Sequence, residues 1–138
     1  MIVSGTINLQ TKGHSDVVDI TPQVAGQVVE SGMKNGTVTV FVTGSTAGVT
    51  TIEYESGVIT DLQQAWERTV PRDIPYAHDS RWGDGNGYSH VRASMLGCSL
   101  VVPFKDKSLI LGTWQQIVLV DFDNRPRSRQ VVLQVSGE

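Results

Sequence analysis

The sequence predicts an α+β domain, a mixed or mostly antiparallel sheet with two to three helices on one side. Three observations lead there. Strand-like runs rich in β-branched residues open the chain. Helix-spaced apolar positions are confined to stretches in its middle. Strand-like runs then follow one another to the end. The 138 residues fit one domain, 1–138, with no internal repeat, no low-complexity segment and no linker.

"IVSGTINLQT" alternates weakly and predicts a first strand, and "DVVDI" (Asp16 to Ile20) a second. "TPQVAGQVVESGM" predicts a helix. Thr21 is placed to cap it, Pro22 suits its first position, and Val24, Val28 and Met33 share a face. Asn35–Gly36 turns the chain into "TVTVFVT", the clearest strand. Gly44 to Gly48 predicts a loop and Val49 to Tyr54 a strand. "SGVITDLQQAWERTV" carries Val58, Leu62, Ala65, Trp66 and Val70 at helical spacing, and Pro71 and Pro75 close it. Pro71 to Gly87 is polar, glycine-rich and long for a connector, a mark of functional or mobile loops.

"SHVRASMLG" resumes helical spacing, with Val91, Met95 and Leu96 as its apolar positions and Gly97 as its C-cap. "CSLVVPF", "SLILGTW", "QQIVLVDFD" and "RQVVLQVS" then predict four strands, the first two joined by a turn at "KDKS". A layout of this kind leaves strand edges that a symmetric oligomer would cover.

Composition narrows the function. Hydrophobic residues make up 39% and charged residues 18%, a globular balance. The net charge of −3 gives no basic field for nucleic acid or an anionic membrane. Cys98 is the only cysteine, so no internal disulfide forms. "MIVSGTINLQTKG" lacks a basic leader and a long apolar core, and no apolar run approaches the roughly 18 residues of a spanning helix. The expectation is a soluble cytoplasmic protein.

Three segments could carry chemistry. "HDSRWGDGNGYSH" brings His78, Asp79, Asp84, Asn86 and His90 together with glycines at 83, 85 and 87. Imidazole with carboxylate suits a divalent metal. Glycine backbone and a following helix N-terminus suit an anion. A mobile connector with Ser89 as a cap accounts for the same residues equally well, and the histidine spacing matches no closed zinc pattern. "TGSTAGVT" offers Ser45 and Thr46 to a phosphate, or is a polar turn; no P-loop lysine follows. In "DFDNRPRSR", Arg125 and Arg127 could clamp a phosphate, or bridge to Asp121 or Asp123 as structural pairs, which the spacing favours.

Single residues have plainer readings. Cys98 starts a strand and reads as a buried small hydrophobe. Trp114 and Trp66 read as core, Trp82 as loop cover and His14 as solvated. Glu53 and Glu55 share a face at a strand end, as a carboxylate pair or a solvated edge.

"GDGNGYSHVRAS", "LGTWQQI" and "DFDNRPRSR", with "STAGVTTIEYESGVITDL", carry a resemblance over essentially the whole chain. The sequence resembles the YjbQ family (UPF0047), sometimes labelled secondary thiamine-phosphate synthase. The resemblance implies a small YjbQ-like α+β domain assembled as a homotrimer. It implies a transferase that joins a pyrimidine methyl diphosphate to a thiazole phosphate and releases pyrophosphate. The alternative is a non-catalytic protein that binds a phosphometabolite or a metal.

Carried over by position, the residues implied are His78, Asp84, Asn86, His90, Thr113, Gln115, Arg125 and Arg127. His90, His78 and Asp84 are the catalytic candidates. Asn86, Gly87, Tyr88, Thr113, Gln115, Arg125 and Arg127 are the ligand-binding candidates. His78 and His90 are also the candidates for a divalent metal, Zn or Mg. Relatives often carry a second histidine where this chain has Tyr88, which counts against a metal here but leaves a hydroxyl for a phosphate. The expected partners are a phosphorylated small molecule and two further copies of the chain, with no nucleic acid and no membrane.

Overall fold

Burial alternates along the longest strands, and that alternation sets the architecture. The computed structural model describes residues 1–138 as eight strands and four helices. They run β1 (Ile2–Thr11), β2 (Asp16–Asp19), α1 (Thr21–Glu30), β3 (Gly36–Val42), β4 (Ala47–Ile52), α2 (Ser56–Thr69), α3 (Ala77–Trp82), α4 (Gly87–Leu96), β5 (Ser99–Lys105), β6 (Ser108–Leu109), β7 (Gln116–Asp121) and β8 (Arg127–Gly137). In β8, Arg129, Val131, Leu133 and Val135 turn inward while Ser128, Gln130, Gln134 and Ser136 face out. Val38, Val40 and Val42 of β3 and Val102 and Phe104 of β5 keep the same parity. These strands therefore build a sheet with one buried face, in the order β1-β8-β3-β5-β6.

β7 differs. Ile117 to Asp121 are buried without a break, as befits a strand covered on both faces. It is the middle strand of a second sheet, β2-β7-β4. Ile117 and Leu119 join the main core with the first sheet and with Val24 and Val28 of α1. Val118 and Val120 point the other way, into a smaller cluster with Val17, Phe122 and Ala93 of α4, against which Ile59 and Trp66 of α2 pack. Every strand pair is antiparallel. The α+β class read from the sequence holds, with two sheets in place of one and a fourth helix. No helix is long and apolar enough to cross a membrane.

Several local expectations change. α3 lies inside the stretch expected to be a loop; its six residues carry no apolar repeat to announce it. "SLILGTW" forms only the two-residue β6, and then Gly112 and Gln115 close a turn, with the Gln115 N–H donating to the Gly112 carbonyl at 3.0 Å. The turn before β6 places Asp106 and Lys107 both at positive φ, 50° and 65°, the geometry of a tight hairpin. β4 starts at Ala47 rather than Val49. Thr21 does not cap α1. Its own N–H donates to Asp19 Oδ1 at 2.9 Å, and its hydroxyl accepts from the Ile117 N–H at 2.8 Å.

α4 is inverted relative to its apolar spacing. Tyr88, Ser89, Arg92 and Ala93 face inward, whereas Val91 and Met95 are exposed. The inversion is tolerable because the inward Ser89 and Arg92 are satisfied, leaving only the buried Tyr88 hydroxyl without a partner. Ser89 Oγ donates to the Phe122 carbonyl, and Arg92 donates to the Val70 carbonyl, Ser15 Oγ and Glu67. Cys98 is exposed, just before β5, rather than buried. Trp114 is exposed as well.

Candidate functional site

One wall of the candidate site is made where β7 passes into β8. Asp121 ends β7, Asp123 follows two residues later, and the chain turns into Arg127 and Arg129. Asp121 is fully buried. It accepts from Arg129 twice, Nε to Oδ2 at 2.6 Å and Nη2 to Oδ1 at 2.9 Å, the two-pronged geometry a guanidinium offers a carboxylate. The Thr11 hydroxyl and the Asp123 N–H complete its set of donors.

Asp123 is almost as buried. It accepts from Thr46 Oγ1 at 3.0 Å, Arg127 Nη1 at 3.1 Å, Asn86 Nδ2 at 3.3 Å and the Asn124 N–H at 2.8 Å. Burial alone would push its carboxyl up. The Asn124 N–H, Asn86, Thr46 and the Arg127 charge outweigh that and hold it below the usual carboxylate range. Thr46 ties the wall together, because its hydroxyl also accepts from Arg129 Nη2 at 2.6 Å. The β3–β4 loop carrying it is pinned by the Phe122 N–H, which donates to the Thr46 carbonyl at 2.9 Å.

The opposite wall is α3, the glycine turn after it, and the first turn of α4. Gly83 and Gly85 take φ of 73° and 69°, a region that favours glycine, so the chain can reverse between the helices. Gly87 is ordinary helix but tightly packed; a Cβ there would lie 2.6 Å from Tyr76 Cβ. Its N–H donates to Asp79 Oδ1 at 2.8 Å, so an internal carboxylate already sits at the N-terminus of α4.

His78 of α3 and His90 of α4 stack with ring centres 4.3 Å apart and planes tilted 40°. Burial first, and His78 second, push His90 below the ordinary histidine range. Asp123, Asp84 and Asp79 pull the other way without cancelling them. His90 is therefore a neutral imidazole near pH 7, able to take or give a proton. Asn86 Oδ1 and His78 Nδ1 are buried without a hydrogen-bond partner. The Asn86 amide cannot simply flip to relieve this, because its NH2 faces a carboxylate that only accepts.

Between the walls lies a cavity of about 310 Å³. Six residues singled out from the sequence line it together: His78, Asp84, Asn86, His90, Arg125 and Arg127. Ser45 and Thr46 join them, so the small hydroxyl loop reaches the same place. Trp82, Asp123 and Arg129 also line it; the sequence placed Asp123 and Arg129 in the same arginine-rich segment without making either a ligand-binding candidate. The signal for Arg129 was present: it shares strand parity with Val131, Leu133 and Val135, and an arginine on the inward face needs a buried partner.

The other candidates lie elsewhere. Gly87 does not line the cavity. Tyr88 is buried away from it, with the guanidinium groups of Arg72 and Arg92 over its ring at 5.5 and 4.8 Å from the centre. Thr113 and Gln115 sit on the exposed connection between β6 and β7. Gln115 donates to Thr51 Oγ1 and accepts from the Gly112 N–H, both at 3.0 Å, and borders a different hollow with Leu100 and Ile110.

The arrangement separates the two readings of the arginines. Arg129 and Arg127 pair with Asp121 and Asp123 within the chain. Arg125 is exposed and pairs with no carboxylate, and Arg127 has donors left over. An anion in the cavity would meet these two guanidinium groups, with the hydroxyls of Ser45 and Thr46 nearby. A metal fits less well: no group of three or more His, Cys, Asp or Glu side chains is placed to hold one, and the imidazole pair stands alone.

Known proteins resemble this chain in sequence and in fold. A family model described as "UPF0047 protein YjbQ-like" matches residues 5–138. A UPF0047 protein of Methanothermobacter thermautotrophicus is 38% identical over 130 residues, 94% of this chain and 89% of that one. The UPF0047 protein YugU of Bacillus subtilis is 30% identical over 133 residues, covering 96% and 98%. Among solved structures, a protein of unknown function from Sulfolobus solfataricus superposes with a TM-score of 0.94 at 32% identity, covering 100% of this chain and 99% of that one. A hypothetical protein from Aeropyrum pernix gives 0.91 at 30% identity, covering 99% of each.

Proposed function

The chain belongs to the YjbQ-like UPF0047 family, and on that premise we propose that it binds and acts on a small phosphorylated molecule in the cavity between α4 and the β7–β8 turn. One observation carries the reading. Arg125, Arg127 and a neutral His90, from segments far apart in sequence, face a single cavity. Guanidinium forks match phosphate oxygens, and the site offers them beside a group that moves protons near neutral pH.

The finer form of the proposal is the thiamine-phosphate synthase reaction. The carbon–oxygen bond to the diphosphate breaks, the electron pair leaves with the diphosphate oxygen, and the thiazole nitrogen bonds to the freed carbon. Arg125 and Arg127 stabilise the charge on the departing group. His90, stacked on His78, is the proton-moving group. Asp84 also lines the cavity, where its carboxylate favours a cationic centre. No step is assigned to a metal. A homotrimer and a cytoplasmic setting belong to the same proposal.

A second reading has its own support. Two of the three guanidinium groups are tied to aspartates, and no serine, cysteine or lysine hydrogen-bonds to His90 as an activated nucleophile. Such a cavity also serves a protein that holds a phosphometabolite without converting it.

Titration calorimetry with inorganic pyrophosphate tests the shared core of both readings. Binding should be measurable and weaken by about tenfold or more in Arg127→Ala, the worth of a lost charged hydrogen bond. Incubation with both thiamine precursors then separates the readings. Product that disappears in His90→Ala supports the enzyme, and binding without product supports the holder. No pyrophosphate binding at millimolar concentration ends both.

A further inference from the structure

We propose that the cavity selects a phosphoryl group that still carries a proton, and that Asn86 is the residue that reads this proton. The inference rests on the anion-binding reading of the cavity and specifies the anion. It is inorganic phosphate or a terminal phosphate monoester, in preference to sulfate, a sulfate ester or a phosphodiester.

Asn86 occupies the N-cap position of α4, where an asparagine oxygen ordinarily accepts a helix N–H. Its side chain makes no such bond. The Ser89 N–H goes to the Asn86 backbone carbonyl at 2.9 Å, and the Gly87 N–H goes to Asp79 Oδ1 at 2.8 Å. The other end of the amide is committed, with Nδ2 donating to Asp123 Oδ1 at 3.3 Å. Oδ1 is left as a buried acceptor without a partner, on a residue that lines the cavity and is only 9% exposed. An orphaned acceptor is costly, and a donor on the ligand removes the cost.

The ligand chemistry follows from charge and protons. Arg125 and Arg127 attract any tetrahedral anion. Only an anion with an O–H can also donate to Asn86 Oδ1. Phosphate monoesters hold such a proton up to their second pKa, about 6. Sulfate, sulfate esters and phosphodiesters hold none near neutral pH, so each sets an oxygen lone pair against the amide oxygen. Asp84, also in the lining, adds a second acceptor with the same preference. A site built to hydrogen-bond a ligand hydroxyl discriminates against the analogue lacking it, because its own polar group stays unpaired.

Methyl phosphate and methyl sulfate test this directly. At about pH 5 they share a shape and a single negative charge, and differ by one proton. His78, His90 and Asp84 face the anion from one side, and Asp123 with the three arginines from the other. All of them act on both esters alike at that pH. Calorimetric Kd values should favour methyl phosphate by about tenfold there, the worth of an acceptor met rather than left alone. The preference should shrink toward about pH 8, where methyl phosphate has lost its proton. Guanidinium charge acting alone would make it grow, because the ester then carries two charges. Asn86→Ala removes the acceptor and leaves Asp123 with Thr46, Arg127 and the Asn124 N–H as donors. It should bring the two esters to equal affinity at the lower pH, chiefly by improving methyl sulfate. A merely structural role for Asn86 would weaken both esters alike.

Equal affinity of the unaltered protein for the two esters at the lower pH, or a preference that grows toward the higher one, overturns the inference and leaves the anion site standing. So does an Asn86→Ala variant that keeps the preference or loses both esters equally. If pyrophosphate binds and neither ester does, the inference again falls alone. If none of the three binds at millimolar concentration, the anion reading falls first and takes the inference with it.

Discussion

The two walls of the cavity are built from similar residue types and are held in opposite ways. On the β7–β8 side, Asp121, Asp123 and Arg129 form a saturated set, in which each carboxylate accepts several donors, and only Arg125 and Arg127 at its edge keep donors free. On the α3–α4 side, His78 and Asn86 keep buried atoms with no partner, and His90 is a neutral base pressed against another imidazole. A saturated ion network gains little from a ligand and loses much when cut. A wall with open hydrogen-bonding capacity behaves the other way round. The difference assigns scaffold to the buried ion network of one wall, with Arg125 and Arg127 at its edge left for an anion, and the proton-moving group to the other.

Cutting the saturated wall should give the largest effect. Arg129→Ala leaves Asp121 fully buried beside only Thr11 and a backbone N–H. We expect a loss of about 3–5 kcal/mol in urea unfolding, the usual cost of orphaning a buried charge. Replacing both partners, Asp121→Leu with Arg129→Met, should cost much less, since no charge is then left alone. If the single and double variants unfold alike, the pair is not the organising contact of that wall. Cutting the other wall with His90→Gln should leave stability within about 1 kcal/mol.

How visible each wall was in the sequence follows from the same contrast. The strands announced themselves through alternation in β3 and β8 and the unbroken apolar run of β7, because burial there is a matter of parity. α1 announced itself through Val24 and Val28. α3 did not, because it is held by its Asp79 carboxylate on the Gly87 N–H and by packing rather than by an apolar stripe. α4 misled, because Arg92 and Ser89 face inward on specific hydrogen bonds while Val91 and Met95 face out. In the site, the glycine-rich loop and Arg125 and Arg127 were legible as residue types that bind anions. That Thr46 shares one cavity with them was not, since it depends on where the β3–β4 loop meets the end of β7.

A medium effect should appear in the pH dependence of the open wall. Sulfate is the suitable probe because it stays a dianion across the range. In the free protein, burial and His78 hold the His90 pKa below its ordinary value near 6.5. An anion in the cavity opposes both by favouring the imidazolium, so binding takes up a proton. Sulfate affinity should therefore rise severalfold as pH falls from about 7 to 5, and the rise should shrink in His90→Gln. A flat profile in the unaltered protein would mean that the imidazole does not face the anion. An unchanged rise in His90→Gln would place the proton uptake outside His90.

The smallest effect should come from outside both walls. Gln115 belongs to the positions that the family resemblance marks for ligand binding, yet its side chain is spent on Thr51 and the Gly112 N–H at the far hollow. Gln115→Ala should change pyrophosphate affinity less than about twofold and stability by about 1 kcal/mol, the worth of ordinary exposed hydrogen bonds. The outcome is informative because the connection carrying Gln115 and the exposed Trp114 has no contact with the cavity of its own chain. A tenfold loss of affinity could then arise only if that connection reached the cavity of another copy. Sedimentation would have to show an oligomer in the same sample, and the cavity would gain a third wall donated by a neighbour. A monomer with an unchanged Kd would confine the site to the two walls of one chain and would end the trimer as a requirement for binding.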